Sequence, residues 1–389
     1  MNPSELKHHF ISTYGNRIDN PVIFFSPGRV NLIGEHTDYN NGFVLPCALN
    51  FGTYLIASKN DKGNIRLKSL NFAYSSEVDA NSFEKDDLGE WVNYPLGVID
   101  QFRKRELEIP GLDLLFYGDI PNGAGLSSSA SIEMATAVAL NYFLKTDFST
   151  LEMVKMCQIA ENKFVGMNCG IMDQFAVGFG EESSAVFLNC GTLKYDLVPL
   201  VLGDFQLIIV NSNKRRGLTD SKYNERRAEC EEALKILKPL LQINHLSELG
   251  LDQLEIIDNK IKDNTIRRRV HHIITENSRV LNAVNALHNA ELGRFGELMN
   301  QSHDSLKDDY EVTGFELDTL VYESRQIDGV IGSRMTGGGF GGCTVNLVNR
   351  SRVDPYITQL RRVYLETTGL EPTFYTPTIG NGARVINNI

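Results

Sequence analysis

Leu112-Asp-Leu-Leu-Phe-Tyr-Gly-Asp-Ile-Pro-Asn-Gly-Ala-Gly-Leu-Ser-Ser-Ser-Ala-Ser131 says most about the fold. Leu112–Ile120 is mostly apolar and reads as a strand, which Pro121-Asn122-Gly123 stops. Ser128–Leu144, rich in Ala, Ile, Met and Val, then reads as a helix. Between them lie Gly123, Ala124, Gly125, Leu126, Ser127, Ser128 and Ser129, mostly small residues that let a ligand approach the backbone. The free N–H groups and dipole of a helix start favour an anion there. The loop is not a Walker A sequence, because the Gly-Lys-Ser/Thr ending is missing, and Ser128 occupies the third glycine position of a Rossmann fingerprint. A plain strand–turn–helix capped by serine also fits.

Upstream, Val22–Ser26, Thr53–Ser58 and Ile65–Ser69 read as strands, with Asn60-Asp-Lys-Gly63 predicted as a hairpin turn between the last two. Downstream, a helix over Leu151–Val165 ends before the turn Gly166–Gly170. Near residue 200 the texture changes. After a strand at Phe205–Asn211, long charged helices are predicted at Asp220–Lys238, Thr265–Leu287, Ala290–Lys307 and Glu316–Ile327. The tail reads strand (Cys343–Val348), helix (Pro355–Thr367), strand (Pro372–Tyr375). A chain of 389 residues exceeds one ordinary domain. The expectation is an α+β fold of two domains, 1–200 and 201–389.

The 38 basic and 49 acidic residues leave a net charge of −11, which repels a nucleic-acid backbone. The basic runs Lys214-Arg215-Arg216 and Arg267-Arg268-Arg269 are short and read as solvated faces. Six cysteines without a CxxC pair predict free thiols in a reducing compartment. No signal pattern opens the chain and no stretch approaches the ~20 apolar residues of a membrane span. The expectation is a cytoplasmic protein with neither nucleic-acid nor membrane partner.

Three further segments carry candidate chemistry. Thr336-Gly-Gly-Gly-Phe-Gly-Gly342 matches GxGxxG by spacing, but a strand rather than the required helix is predicted to follow it. Its glycines suit a backbone packed against another loop or a phosphate. Arg29-Val-Asn-Leu-Ile-Gly-Glu35-His36-Thr37-Asp38 places a cation and ionisable groups after an apolar strand. Glu35, His36 and Asp38 suit metal ligation, hydrogen bonding to sugar hydroxyls, or a charged turn. In Glu161…Ile171-Met172-Asp173-Gln174, an aspartate sits in apolar company. Buried acids are rare unless paired or functional, although an N-cap is the plainer alternative. His8-His9, His271-His272 and His303 lack ligand spacing and read as surface or satisfied core residues.

Together these segments resemble the galactokinases of the GHMP sugar and metabolite kinase superfamily, over nearly the whole chain. Pro27–Asn40 resembles the family's sugar-binding signature, Gly123–Ala130 the superfamily's phosphate loop, and Met335–Gly342 its third motif, which packs beside that loop. The resemblance implies a two-domain kinase with its active site in the cleft between domains. It further implies transfer of a phosphoryl group from ATP to the anomeric hydroxyl of galactose. Asp173 then matches the base and Arg29 the cation beside it. Glu35, His36, Thr37, Asp38, Gly170 and Tyr223 match sugar contacts. Gly123–Ser129, with Ser69, match ATP contacts, and Ser129 and Glu161 match the Mg²⁺ ligands. A monomer is expected. The rivals are a kinase of the same family acting on N-acetylgalactosamine, and a sensor that binds galactose and ATP without turnover.

Overall fold

The computed structural model describes residues 1–15, 20–87, 91–121, 124–214 and 219–386, with backbone alone for 219–221. Among these residues the strands form three sheets. In the largest, the spatial order is Arg384–Ile386, Val22–Asn31, Pro46–Lys59, Leu112–Gly118, Asn64–Ser69, Ser76–Asp79. Its neighbours are antiparallel except Asn64–Ser69, which lies parallel to Leu112–Gly118.

The hairpin expected around Asn60–Gly63 is therefore not formed, because Leu112–Gly118 inserts between its two arms. Leu112, Leu114, Leu115 and Phe116 are all buried, and such a run belongs in a sheet centre with both faces covered. The turn clasps the inserted strand instead. The Asn60 N–H donates to Gly111 O and its amide to Asp113.

Val22–Asn31 continues past the expected end at Ser26, through Pro27 and Gly28, with its register against Pro46–Lys59 shifting between Pro27 and Arg29. Such an irregularity re-aims the following side chain. Arg29 thus leaves from within a strand, and its N–H donates to Leu126 O (3.1 Å), docking the glycine loop onto the shift.

Asn93–Arg103, Ser128–Leu144, Thr150–Ile159 and Met172–Phe179 cover this sheet, burying Leu96, Met134, Leu140 and Phe175 with Phe24, Leu55 and Leu114. The second sheet, Val330–Thr336, Cys343–Asn349, Phe205–Asn211, Thr373–Tyr375, is antiparallel throughout. Leu207 and Ile209 face the helices Asn264–His288 and Leu292–Asp308, through Val280, Phe295 and Met299. The alternate residues Ile208 and Val210 face Phe315–Gln326 and Val353–Thr368, through Leu320, Tyr356 and Leu360. The first of these cores also contains Val30, Leu32 and Leu45, so it fuses the two halves of the chain.

Two sequence expectations need correction here. The helix expected over Leu151–Val165 is α-helical only over Thr150–Ile159. Ala160–Val165 is a π-helical turn, a feature frequent at functional sites. Arg267–Arg269 is not a solvated face throughout. Arg269 is 1% exposed and pairs with Glu229 (2.6 Å) and Glu311 (2.7 Å), which offsets the cost of burying its charge. Lys214 pairs with Glu316, while Arg215 and Arg216 lie outside the described residues. Among the described residues no helix is long and apolar enough to cross a membrane.

Candidate active site

Two cavities meet at the start of the Ser128–Leu144 helix, sharing Ser128, Ser129 and Met167. The first, about 310 Å³, is lined by Arg29, Glu35, His36, Asp38, Gly170, Asp173 and Tyr223, among others. The second, about 780 Å³, has Phe72, Trp91, Phe116 and Ile132 as apolar wall and Ser69 and Asn71 as polar edge.

Arg29 and Asp173, 144 positions apart, form a two-pronged pair. Nε donates to Oδ1 at 2.8 Å and Nη2 to Oδ2 at 2.9 Å. The third arm, Nη1, donates to Gly125 O at 2.8 Å, so one guanidinium fixes both the acid and the glycine loop. Burial works against the Arg29 charge, but Asp173 and then Glu35 outweigh it and raise its pKa. Asp173 stands in the first turn of Met172–Phe179, whose N-cap is Ile171, so the capping alternative does not hold. Nor does a serine side chain cap Ser128–Leu144. The N-cap Ser127 instead donates its hydroxyl to Asp173 Oδ2 at 2.5 Å.

The sugar-signature residues do different things. His36 has a left-handed backbone (φ 63°), and its Nδ1 meets the Tyr39 hydroxyl at 3.0 Å. Its Nε2 is buried on the cavity wall, where the Gly338 backbone also bonds to the ring. Burial, followed by His272 and Arg226, pushes the ring down to about 3, so it is neutral at physiological pH. Glu35 Oε1 accepts from Gly337 N–H (2.7 Å) and the Thr336 hydroxyl (3.1 Å), tying the signature to the third glycine motif. Burial and then Asp173 push the Asp38 carboxyl up to about 7. A Cβ on Gly170 would overlap the Asp38 carboxylate, so only glycine leaves that group in place. Thr37 does not reach the cavity. It is fully buried and its one hydroxyl proton is shared between Gly34 O and Phe43 O, holding the turn.

Of the loop residues, Gly125, Ser127, Ser128 and Ser129 line the first cavity, while Ala124 and Leu126 turn their side chains into the core. Gly123 lies outside the described residues. Gly125 O stands 3.1 Å from where a Cβ on Gly337 would lie, so the third motif packs against this loop. Ser69 borders the second cavity.

Glu161 projects from the π-helical turn, and the Ser129 side chain bonds to it. Burial and then Asp173 push its carboxyl up to about 7. The fully buried Gln174 amide donates both to Glu161 Oε2 and to Glu133 Oε2. Sequence reasoning missed Gln174, which sits next to Asp173 without a pattern of its own. It also missed Phe72 and Trp91, although a single tryptophan in 389 residues is a signal worth following. His272 is a satisfied core histidine, bonded to Ser305 Oγ and Glu35 O.

The match to protein families is direct. Residues 8–59 match the galactokinase galactose-binding signature, 93–181 the GHMP kinase N-terminal domain, and 283–365 the GHMP kinase C-terminal domain. The galactokinase of Fusobacterium nucleatum is 52% identical, over 92% of this chain and 94% of its own. The chain belongs to the galactokinase family. That of Clostridium acetobutylicum is 51% identical over 94% and 95% of the two chains. The crystal structure of Lactococcus lactis galactokinase complexed with galactose superposes with a TM-score of 0.95, at 44% identity, over 98% and 99%. Mevalonate kinase of Methanococcus jannaschii, at 19% identity and a TM-score of 0.65, shares the fold.

Proposed function

We infer that this chain carries out the reaction of its family. It is an ATP-dependent sugar kinase that transfers the γ-phosphoryl group of ATP to the anomeric hydroxyl of galactose, giving α-D-galactose 1-phosphate and ADP. The observation that carries this reading is the Arg29–Asp173 pair in a polar cavity that joins a larger, aromatic-walled one through Ser128 and Ser129. Galactose occupies the smaller cavity, against Glu35, His36, Asp38 and Tyr223. The nucleotide base and ribose occupy the larger one, where Phe72 and Trp91 offer ring faces, and the phosphates lie along Gly125–Ser129. Asp173 accepts the proton of the attacking hydroxyl, and Arg29 stabilises the charge that develops there. A coupled ADP-release assay over galactose, glucose and N-acetylgalactosamine tests the reading. ADP release with galactose is expected, and none with any sugar would favour the sensor instead.

The donor set at the loop fits Mg²⁺. The Ser129 hydroxyl and Glu161 carboxylate are hard oxygen ligands on the cavity wall, and Mg²⁺, which keeps several waters and binds substrate phosphates, would need few protein groups there. Mg²⁺ there would neutralise β- and γ-phosphate charge. Glu161→Ala is expected to lower turnover and to raise the Mg²⁺ concentration needed for half-maximal rate, leaving galactose affinity unchanged. Normal turnover at low Mg²⁺ would remove Glu161 from the ligand set.

A second test is pH. Since the Asp38 carboxyl is raised to about 7, it is neutral below that value and ionised above it. An ionised carboxylate accepts hydrogen bonds from sugar hydroxyls at both oxygens. Galactose affinity, measured by calorimetry without nucleotide, is therefore expected to rise with pH through about 7 and then level off. Asp38→Asn is expected to lack that rise.

The division into 1–200 and 201–389 belongs to the same reading. It is supported by a four-stranded sheet drawn wholly from beyond residue 200, although Arg384–Ile386 returns to the first sheet. A cytoplasmic monomer is proposed with it.

A further inference from the structure

Ser127 is held in the left-handed region (φ 60°, ψ 49°), two residues after Gly125, which meets the same need with glycine (φ 71°). A residue with a Cβ is strained in that conformation. Its hydroxyl gives the helix no cap. Among the described residues the oxygen reaches only Asp173 Oδ2, at 2.5 Å, and the side chain is buried. Oδ2 also receives Arg29 Nη2, so both of its lone pairs are taken. Among the described residues Oδ1 receives Arg29 Nε alone and keeps one lone pair.

We propose that Ser127 is a positioning residue for phosphoryl transfer, filling Oδ2 so that Asp173 presents Oδ1 to the sugar. This rests on the assignment of Asp173 as proton acceptor. In the step, the O–H bond of the anomeric hydroxyl breaks and its proton goes to Oδ1. The sugar oxygen bonds the γ-phosphorus, and the bond from that phosphorus to the β-phosphate bridging oxygen breaks, releasing ADP. Because Ser127 belongs to the loop that continues into Ser128 and Ser129, one continuous segment places both the acceptor oxygen and the phosphate cradle.

The test is a double-mutant cycle with Asp173→Asn. Ser127→Gly removes the hydroxyl and relieves the backbone strain, and so is expected to keep or raise Tm. Galactose affinity by calorimetry and the KM for ATP are expected to stay within about threefold, while kcat falls about tenfold. Ser127→Ala, which loses only the oxygen, is expected to show the same fall in kcat. In the Asp173→Asn background, Ser127→Gly is expected to cost less than about twofold. Parental kcat in Ser127→Gly would overturn the proposal. So would an equal tenfold loss in both backgrounds, with a raised KM for ATP, since Ser127 would then serve the phosphates directly. Near-parental turnover in Asp173→Asn alone would overturn the base assignment as well, an outcome distinct from loss there with full activity in Ser127→Gly.

Discussion

An enzyme carrying Asp173→Asn is expected to bind galactose and to turn it over roughly 10²-fold more slowly, or worse. The substitution keeps the shape of the side chain and removes its charge. It also strikes the geometry around Arg29, because an amide presents one oxygen where the guanidinium fork and Ser127 together require two. Whichever way the amide turns, its NH₂ group faces a donor. Arg29→Lys is expected to be damaging for the complementary reason. A point charge cannot hold Asp173 by two prongs and Gly125 O by a third. Calorimetry with galactose, run beside a turnover assay, separates the loss of chemistry from the loss of binding. Near-normal turnover in Asp173→Asn would mean that another group takes the proton, and the reading of this cavity would have to be rebuilt.

Discrimination between galactose and glucose is expected to be strong, by up to about 10⁴-fold in kcat/KM. A site built to hydrogen-bond one hydroxyl rejects the epimer because its own buried polar groups are left unpaired. The cavity has such groups. His36, Asp38 and Tyr223 stand on one wall of it, the His36 Nε2 buried there. Asp38 is held there by the absence of a side chain at Gly170. Asp38→Asn, or a methyl at Gly170, is therefore expected to lower galactose efficiency far more than glucose efficiency, narrowing the ratio from above. Parallel kcat/KM measurements on the two sugars check this. Comparable efficiencies in the unaltered enzyme would show that these groups do not select the sugar.

What could be read from the sequence was local. The strand, glycine loop and helix across Leu112–Leu144 declare themselves through apolar runs, small residues and breakers. The helices read at Thr265–Leu287 and Pro355–Thr367 form with nearly those bounds, as Asn264–His288 and Val353–Thr368. The three motifs, with Arg29, His36 and Asp38 as ionisable groups, were likewise visible as stretches of chain, as was Asp173 outside them. The tertiary structure decided whatever depends on contacts between distant residues, because periodicity carries no information about partners. It placed Leu112–Gly118 between two strands that looked like a hairpin, and brought Arg384–Ile386 back onto Val22–Asn31. It turned Thr37 into the protein, bonded to Gly34 and Phe43, while opening the adjacent His36 to the cavity. It buried Arg269 out of a run that read as solvated, because Glu229 and Glu311, from other segments, converge on it. It also set Ser127 on Asp173 and Gln174 on Glu161, contacts fixed by side-chain direction once the backbone is in place.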